Sequence, residues 1–267
     1  MLLIKKINLH WGSKLIESKE LSKFKNIKHA FFNRLGGKSV GIYKSLNCGL
    51  GSLDKKKSVI KNLKIVNEKI KSNSNKIILL NQIHSNKFHY IDKKSKTINT
   101  KFKGDALITN KIDTVIGVLT ADCAPILIYD HNHKMIAAIH AGWRGVHKGI
   151  VMNVVKFMVK KGCLPINMTA VIGPCISIKN YEVKQDFIKK FIKKNKKIKV
   201  FFKKIKNRNY FSLNKYIYSQ LKISGIKNID TINKDTFDVK NNFFSARRSI
   251  SRNENDYGRN ISIIMLS

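Results

Sequence analysis

The chain has 267 residues, 43% of them hydrophobic, which is enough apolar material for a sizeable core in one large domain or two small ones. No run of about 18 uncharged apolar residues occurs, which excludes a transmembrane helix, and the opening Met1-Leu2-Leu3-Ile4-Lys5-Lys6 lacks the basic-then-apolar order of a secretory signal. The formal net charge is +37, a balance that excludes an acidic protein and draws polyanions, nucleic acid included.

In chain order, residues 34–51 are rich in Gly and Ser and read as a long loop of the kind that carries function. Short apolar runs bounded by polar residues predict strands at 77–80, 114–119, 125–129, 135–140 and 169–172. The polar stretch 130–134 joins two of them as a hairpin, with His131 and His133 exposed in its turn. Apolar residues at helical spacing predict a helix over 145–161, with Gly162 as its stop. Further amphipathic helices are predicted over 182–194 and 213–223, and a closing strand over 261–266. With no linker and no internal repeat, the expectation is one α/β (α+β) domain over 1–267 built on a mixed sheet.

The excess charge is unevenly spread. Between Gly104 and Ile150, Asp105, Asp113, Asp122 and Asp130 balance Lys111, Lys134, Arg144 and Lys148. The surplus is densest from Lys179 to Arg208, where lysines recur between isoleucines and phenylalanines as on a solvated helix face. Nucleic-acid surfaces favour arginine interleaved with aromatic residues, so a nucleic-acid-binding basic protein is the lesser reading. Cys48, Cys123, Cys163 and Cys175 form no C-x-x-C pair, which predicts reduced thiols in a cytoplasmic protein.

Three segments stand at or just past strand ends, where rigid backbone can hold a site: Asn81-Gln82-Ile83-His84-Ser85, Thr120-Ala121-Asp122-Cys123-Ala124-Pro125 and Ile139-His140-Ala141-Gly142-Trp143-Arg144-Gly145. Their Cys and His suit zinc, and three protein ligands would leave a fourth position open for water or substrate. Spacing alone leaves alternatives standing. Cys123 is equally a small buried hydrophobe, or a thiolate nucleophile with His140 as its base. The latter describes a cysteine hydrolase, for instance one acting on cell-wall precursors. Zinc would hold the thiolate, so the zinc and nucleophile readings exclude each other.

At these motifs the sequence resembles the bacterial polyphenol-oxidase, or laccase-domain (YfiH-like), family, also known as multicopper polyphenol oxidoreductases. The resemblance rests on Gln82-Ile83-His84, Ala121-Asp122-Cys123-Ala124-Pro125, His140-Ala141-Gly142-Trp143-Arg144-Gly145 and Ile172-Gly173-Pro174-Cys175-Ile176. It extends to Arg34-Leu35-Gly36-Gly37 with Ser45-Leu46-Asn47, and to Phe243-Phe244-Ser245-Ala246-Arg247-Arg248 with Gly258-Arg259. It implies an α/β fold related to cysteine-hydrolase-like toxin domains, and one zinc held by His84, Cys123 and His140. It also implies phosphorolysis of adenosine, inosine and methylthioadenosine with adenosine deamination, or, by the older family name, copper-dependent phenol oxidation. The partners would be purine nucleosides and phosphate, and the protein a monomer or homodimer.

A multicopper site needs many His ligands, and the chain has eight His in all. Copper can still enter a zinc site of N and S donors. Phosphorolysis needs an anion clamp, for which arginine is suited. Arg34, Arg144, Arg247, Arg248 and Arg259, with Asn47, are the candidates. Asp122 is read either as a proton-transfer group or, preferably, as a carboxylate orienting a His ligand, and Trp143 as packing. The resemblance departs from the family at Lys234-Asp235-Thr236-Phe237, where a Cys-Thr would be expected, and at Cys48, read here as a buried hydrophobe.

Overall fold

A computed structural model describes residues 15–73, 76–92 and 102–267; the amino-terminal residues read above for a signal lie outside them. The strands are β1 (Leu15–Ile16), β2 (Ile27–Phe32), β3 (Ile77–Ile78), β4 (Phe88–Ile91), β5 (Ala106–Thr109), β6 (Val115–Thr120), β7 (Ala124–Asp130), β8 (Met135–Ala141), β9 (Met168–Ile172), β10 (Glu182–Val183), β11 (Phe202–Ile205), β12 (Arg208–Phe211), β13 (Asn228–Thr231) and β14 (Asn260–Leu266). The helices are α1 (Lys56–Lys69), α2 (Trp143–Lys148), α3 (Ile150–Lys160), α4 (Gln185–Lys194), α5 (Leu213–Ile223) and α6 (Ala246–Ser251).

Two large mixed sheets carry the fold. The first has the order β1-β2-β14-β6-β3 and the second β13-β9-β7-β8-β5-β4, while β10-β12-β11 form a small third sheet. Only β3–β6, β4–β5 and β9–β13 pair in parallel among these elements. Strands β7 and β8 are buried along their whole length, which is why they read as unbroken apolar runs rather than alternating ones. Their alternate residues serve different layers. Leu127, Ile136 and Ala138 face the first sheet, meeting Phe31, Ile116, Val118 and Ile264. Ile126, Ala137 and Ile139 face the helices, meeting Val151, Val154, Val155, Phe191, Ile217 and Leu221. On the far side of the first sheet, Ala30, Phe32, Ile261 and Ile263 pack with Val66 of α1. The layers therefore run helix, sheet, sheet, helix.

The predicted strands and hairpin are present with shifted ends, and the first is shorter, only Ile77–Ile78. Two helix expectations need correction. The helix expected over 145–161 is two, broken where Gly149 takes φ +92°, a left-handed conformation that ends α2 and starts α3. The helix expected from 182 starts at Gln185, because Glu182 and Val183 pair with β12 instead. The lysines of α4 are exposed while Phe191 beneath them is fully buried, the solvated face the pattern implied. No helix among the described residues is long and apolar enough to cross a membrane.

Candidate metal centre

One end of the sandwich gathers the three motifs. Residues 121–123 leave β6 in the first sheet and enter β7 in the second. The carboxyl end of β8 lies beside the start of β7 through the Pro125–His140 and Ala124–Ala141 pairs, and the start of β5 lies on its other side. Gln82 fixes the neighbouring turn to β6, its side-chain amide donating to the Leu119 carbonyl and accepting from the Leu119 amide, both at 2.7 Å.

His84, Cys123 and His140 converge there, with one ligand atom of each within 4.8 Å of the others. Cys123 Sγ is 3.8 Å from His84 Nε2, and the two imidazoles meet edge to face at 4.8 Å. Tetrahedral zinc would place such S and N ligands about 3.5 Å apart. Gly142 makes the convergence possible: a Cβ there would stand 2.8 Å from Cys123 Sγ and 2.9 Å from His84 Cδ2. The donor set and the cradle fit a metal ion.

Burial pushes the Cys123 thiol up, but His140 and His84 beside it outweigh this and draw it down to about 6. Burial lowers His140, yet the facing Cys123 and the Asp105 carboxylate hold it up to about 9. A thiolate is thus available as a ligand near neutral pH.

The carboxylate that orients the site is Asp105, a role read for Asp122 in the sequence. Asp105 is fully buried. Its Oδ1 bonds His140 Nδ1 at 2.8 Å, leaving Nε2 for the cluster, and accepts the His84 amide at 2.9 Å. Its Oδ2 accepts the Ser85 amide and hydroxyl, each at 2.6 Å. His84 takes φ +54°, and this carboxylate holds that unfavourable turn in place.

Asp122 also has positive φ, +84°, but its carboxylate touches neither histidine. It accepts from Thr236 Oγ1 (2.7 Å), Ser245 Oγ (2.9 Å) and the Arg247 amide (2.7 Å), and burial raises its carboxyl above the usual range despite them. It ties 236–247 to the β6–β7 crossing.

The structure separates the other candidates. Arg259 lines a pocket of about 610 Å³ with His84, Cys123, His140, Gln82 and Tyr257. Its Nη1 donates to Asp256 (3.1 Å) and to the Tyr257 carbonyl (2.6 Å). Arg144 is exposed on a neighbouring cavity of about 280 Å³ that shares His84. Arg34 lies over the Phe244 ring and lines a different cavity with Gly36, Gly37 and Lys38. Arg247 donates to the Glu182 carbonyl and lies over Tyr181. Neither is part of the metal pocket's lining.

Two of the residues read as substrate contacts are engaged within the chain itself. Asn47 is fully buried, its Oδ1 accepting the Gly49 and Arg259 amides and its Nδ2 donating to Ser52 and Asp54. Arg248 is 7% exposed and spends its guanidinium on the carbonyls of Thr236, Phe237 and Phe243. Both hold loops together. Trp143 packs on Phe187 at 5.0 Å, and Cys48 is fully buried, as their readings required.

Replacing Gly142 by alanine is expected to weaken metal affinity on the order of 10–100-fold, the range for disturbed ligand support, because ligand atoms must retreat from the new methyl. Metal content after gel filtration checks this. Unchanged content would refute the cradle.

This architecture and site define a two-sheet α/β protein with a His-Cys-His centre. The chain belongs to the family described as multi-copper polyphenol oxidoreductase laccase, whose model matches residues 28–267. Among its relatives, a purine nucleoside phosphorylase of Haemophilus influenzae is 34% identical over 244 residues, 90% of this chain and 94% of that one. Purine nucleoside phosphorylase RP494 of Rickettsia prowazekii is 38% identical over 65% of this chain and 71% of its own length. The solved structure of the hypothetical protein YfiH of Bacillus licheniformis superimposes with a TM-score of 0.86 at 27% identity, covering 96% of this chain and 97% of that one. Neisseria meningitidis protein NMB0706 gives 0.81 at 30% identity, covering 91% and 96%.

Proposed function

We propose that this chain is a zinc-dependent purine nucleoside phosphorylase that also deaminates adenosine. The observation that carries the reading is the convergence of His84, Cys123 and His140 on a pocket of about 610 Å³, with Arg259 on its wall. Relatives named purine nucleoside phosphorylase support the substrate class.

Zinc held by three protein ligands would supply Lewis acidity at an open fourth position. The chain's own residues do the rest. Asp105 fixes the His140 ring and keeps its Nε2 turned to the cluster. Arg259, braced by Asp256 and Tyr257, sets a fixed positive charge toward which phosphate is drawn. Leu79, Leu80 and Leu119 form an apolar wall against which a purine ring can lie. In phosphorolysis a phosphate oxygen bonds to the ribose C1′ as the bond to purine N9 breaks, giving ribose 1-phosphate and free base. In deamination water replaces the C6 amino group, which leaves as ammonia.

The test supplies adenosine, inosine or methylthioadenosine with phosphate and follows free base, inosine and the sugar phosphate by chromatography. Base and sugar phosphate in equal amounts are expected. No product above a His140→Ala control would reject the reading. Phenol oxidation requiring stoichiometric copper would favour the chemistry in the family's description instead.

A further inference from the structure

We propose that Asp130, His133 and Cys163 form a second metal site, suited to zinc or another borderline divalent cation, at the opposite end of the sandwich. Asp130 ends β7 and His133 lies in the turn to β8, whereas Cys163 follows α3. The seven residues of β7 separate this cluster from the first by roughly 20 Å.

Three observations carry the proposal. One ligand atom of each residue lies within 4.8 Å of the others. Asp130 is fully buried, and its Oδ2 meets no nitrogen or oxygen donor. Its Oδ1 accepts the amides of Asn132 (3.1 Å) and His133 (2.8 Å), with His133 Nδ1 3.7 Å away, so the carboxylate is pinned with its second oxygen left to the Cys163 thiol. A buried carboxylate oxygen in this position calls for a strong partner, which a cation would supply. The third is the close seat of His133: at Gly162, where φ is +97°, a Cβ would stand 2.8 Å from His133 Nε2. Any other residue there would drive the ring away.

The donor set selects the ion. One carboxylate, one imidazole and one thiolate suit zinc, whereas magnesium and calcium take oxygen ligands. Met135 Sδ lies 3.8 Å from Cys163 Sγ, adding a second soft sulfur beside the thiol. The His133 side chain is 43% exposed, so the cluster opens to solvent on that side. A thiolate ligand forms with loss of its proton, so binding exchanges one ion for one proton: the S–H bond breaks, a sulfur–metal bond forms, and the proton passes to water. The bound ion would clip the β7–β8 turn to the end of α3.

The experiment uses the full chain carrying Cys123→Ala and His140→Ala, loaded with zinc, passed through gel filtration and assayed by atomic emission; cobalt is loaded in parallel. The double variant is expected to keep one zinc per chain and to show a thiolate-to-cobalt charge-transfer band. Adding His133→Ala, at a half-exposed turn position, or Cys163→Ala is expected to remove both. No zinc in the double variant, or zinc and band that survive both additional substitutions, would overturn the proposal. These readouts do not depend on any nucleoside activity.

Discussion

Asp105→Asn is expected to lower metal affinity at the His84–Cys123–His140 cluster about 10–100-fold while the chain remains folded. The carboxylate serves four groups with two oxygens: the His140 ring, the His84 amide, and the amide and hydroxyl of Ser85. An asparagine keeps one acceptor and turns an NH₂ toward groups that donate. Each buried donor left unmet costs about 1–3 kcal/mol, and the His140 ring loses the bond that fixes its orientation. Burial raises the Asp105 carboxyl, but its hydrogen bonds to His140 and Ser85 outweigh this and hold it below the usual range. A depressed carboxyl contributes stability above its unfolded value and loses it as pH falls through its folded value, so the native site should weaken on the acid side. Competition with a chromogenic chelator measures the affinity, with circular dichroism to confirm the fold. Affinity within twofold of the native protein would remove Asp105 from the site's support.

The second large effect is on stability. Arg248→Met is expected to cost about 3–5 kcal/mol, as when one partner of a buried charged network is removed, and to lower the unfolding midpoint by on the order of 10 °C. Three carbonyls, of Thr236, Phe237 and Phe243, lose a charged donor together. The Asp122 carboxylate, whose partners Thr236 and Ser245 flank those carbonyls, is left in a loosened shell. Arg248→Lys should rescue little, because a single ammonium cannot reproduce the planar fork. Thermal unfolding of metal-free protein checks the cost. A midpoint unchanged within a degree or two, with a raised KM for phosphate, would restore Arg248 to the substrate.

That His84, Cys123 and His140 come together was legible through their motifs and the family resemblance these carry, because Cys and His at strand ends alone left other roles open. Asp105 was not. In Gly104-Asp105-Ala106-Leu107 it reads as an ordinary turn residue. The available signal was an acid directly before an apolar run whose four strand residues prove fully buried. The arginines could not be told apart in the sequence for a different reason. A motif arginine that binds carbonyls of its own chain and one that faces a pocket carry the same letter, and only tertiary contacts distinguish Arg248 from Arg259. The β7–β8 hairpin was legible from its apolar runs and polar turn. The order of the sheets was not, because β2 and β14 meet across more than two hundred residues of sequence. Likewise the apolar spacing over 145–161 runs straight through Gly149, whose left-handed break shows only in the backbone.

Strand β14 lies between β2 and β6 in the first sheet. During synthesis, β2 is made early yet has no neighbour on that side until residues 260–266 emerge. Pairing at this sequence separation is slow, because a long loop must close before any contact rewards it. The β6 end that leads to Cys123 is fastened by the same strand, with Asn260 opposite Thr120 and its amide donating to the Thr120 carbonyl. A nascent chain short of that strand therefore carries His84, Cys123 and His140 without a finished scaffold to hold them, and a ribosome-bound fragment ending before 260 should capture metal poorly.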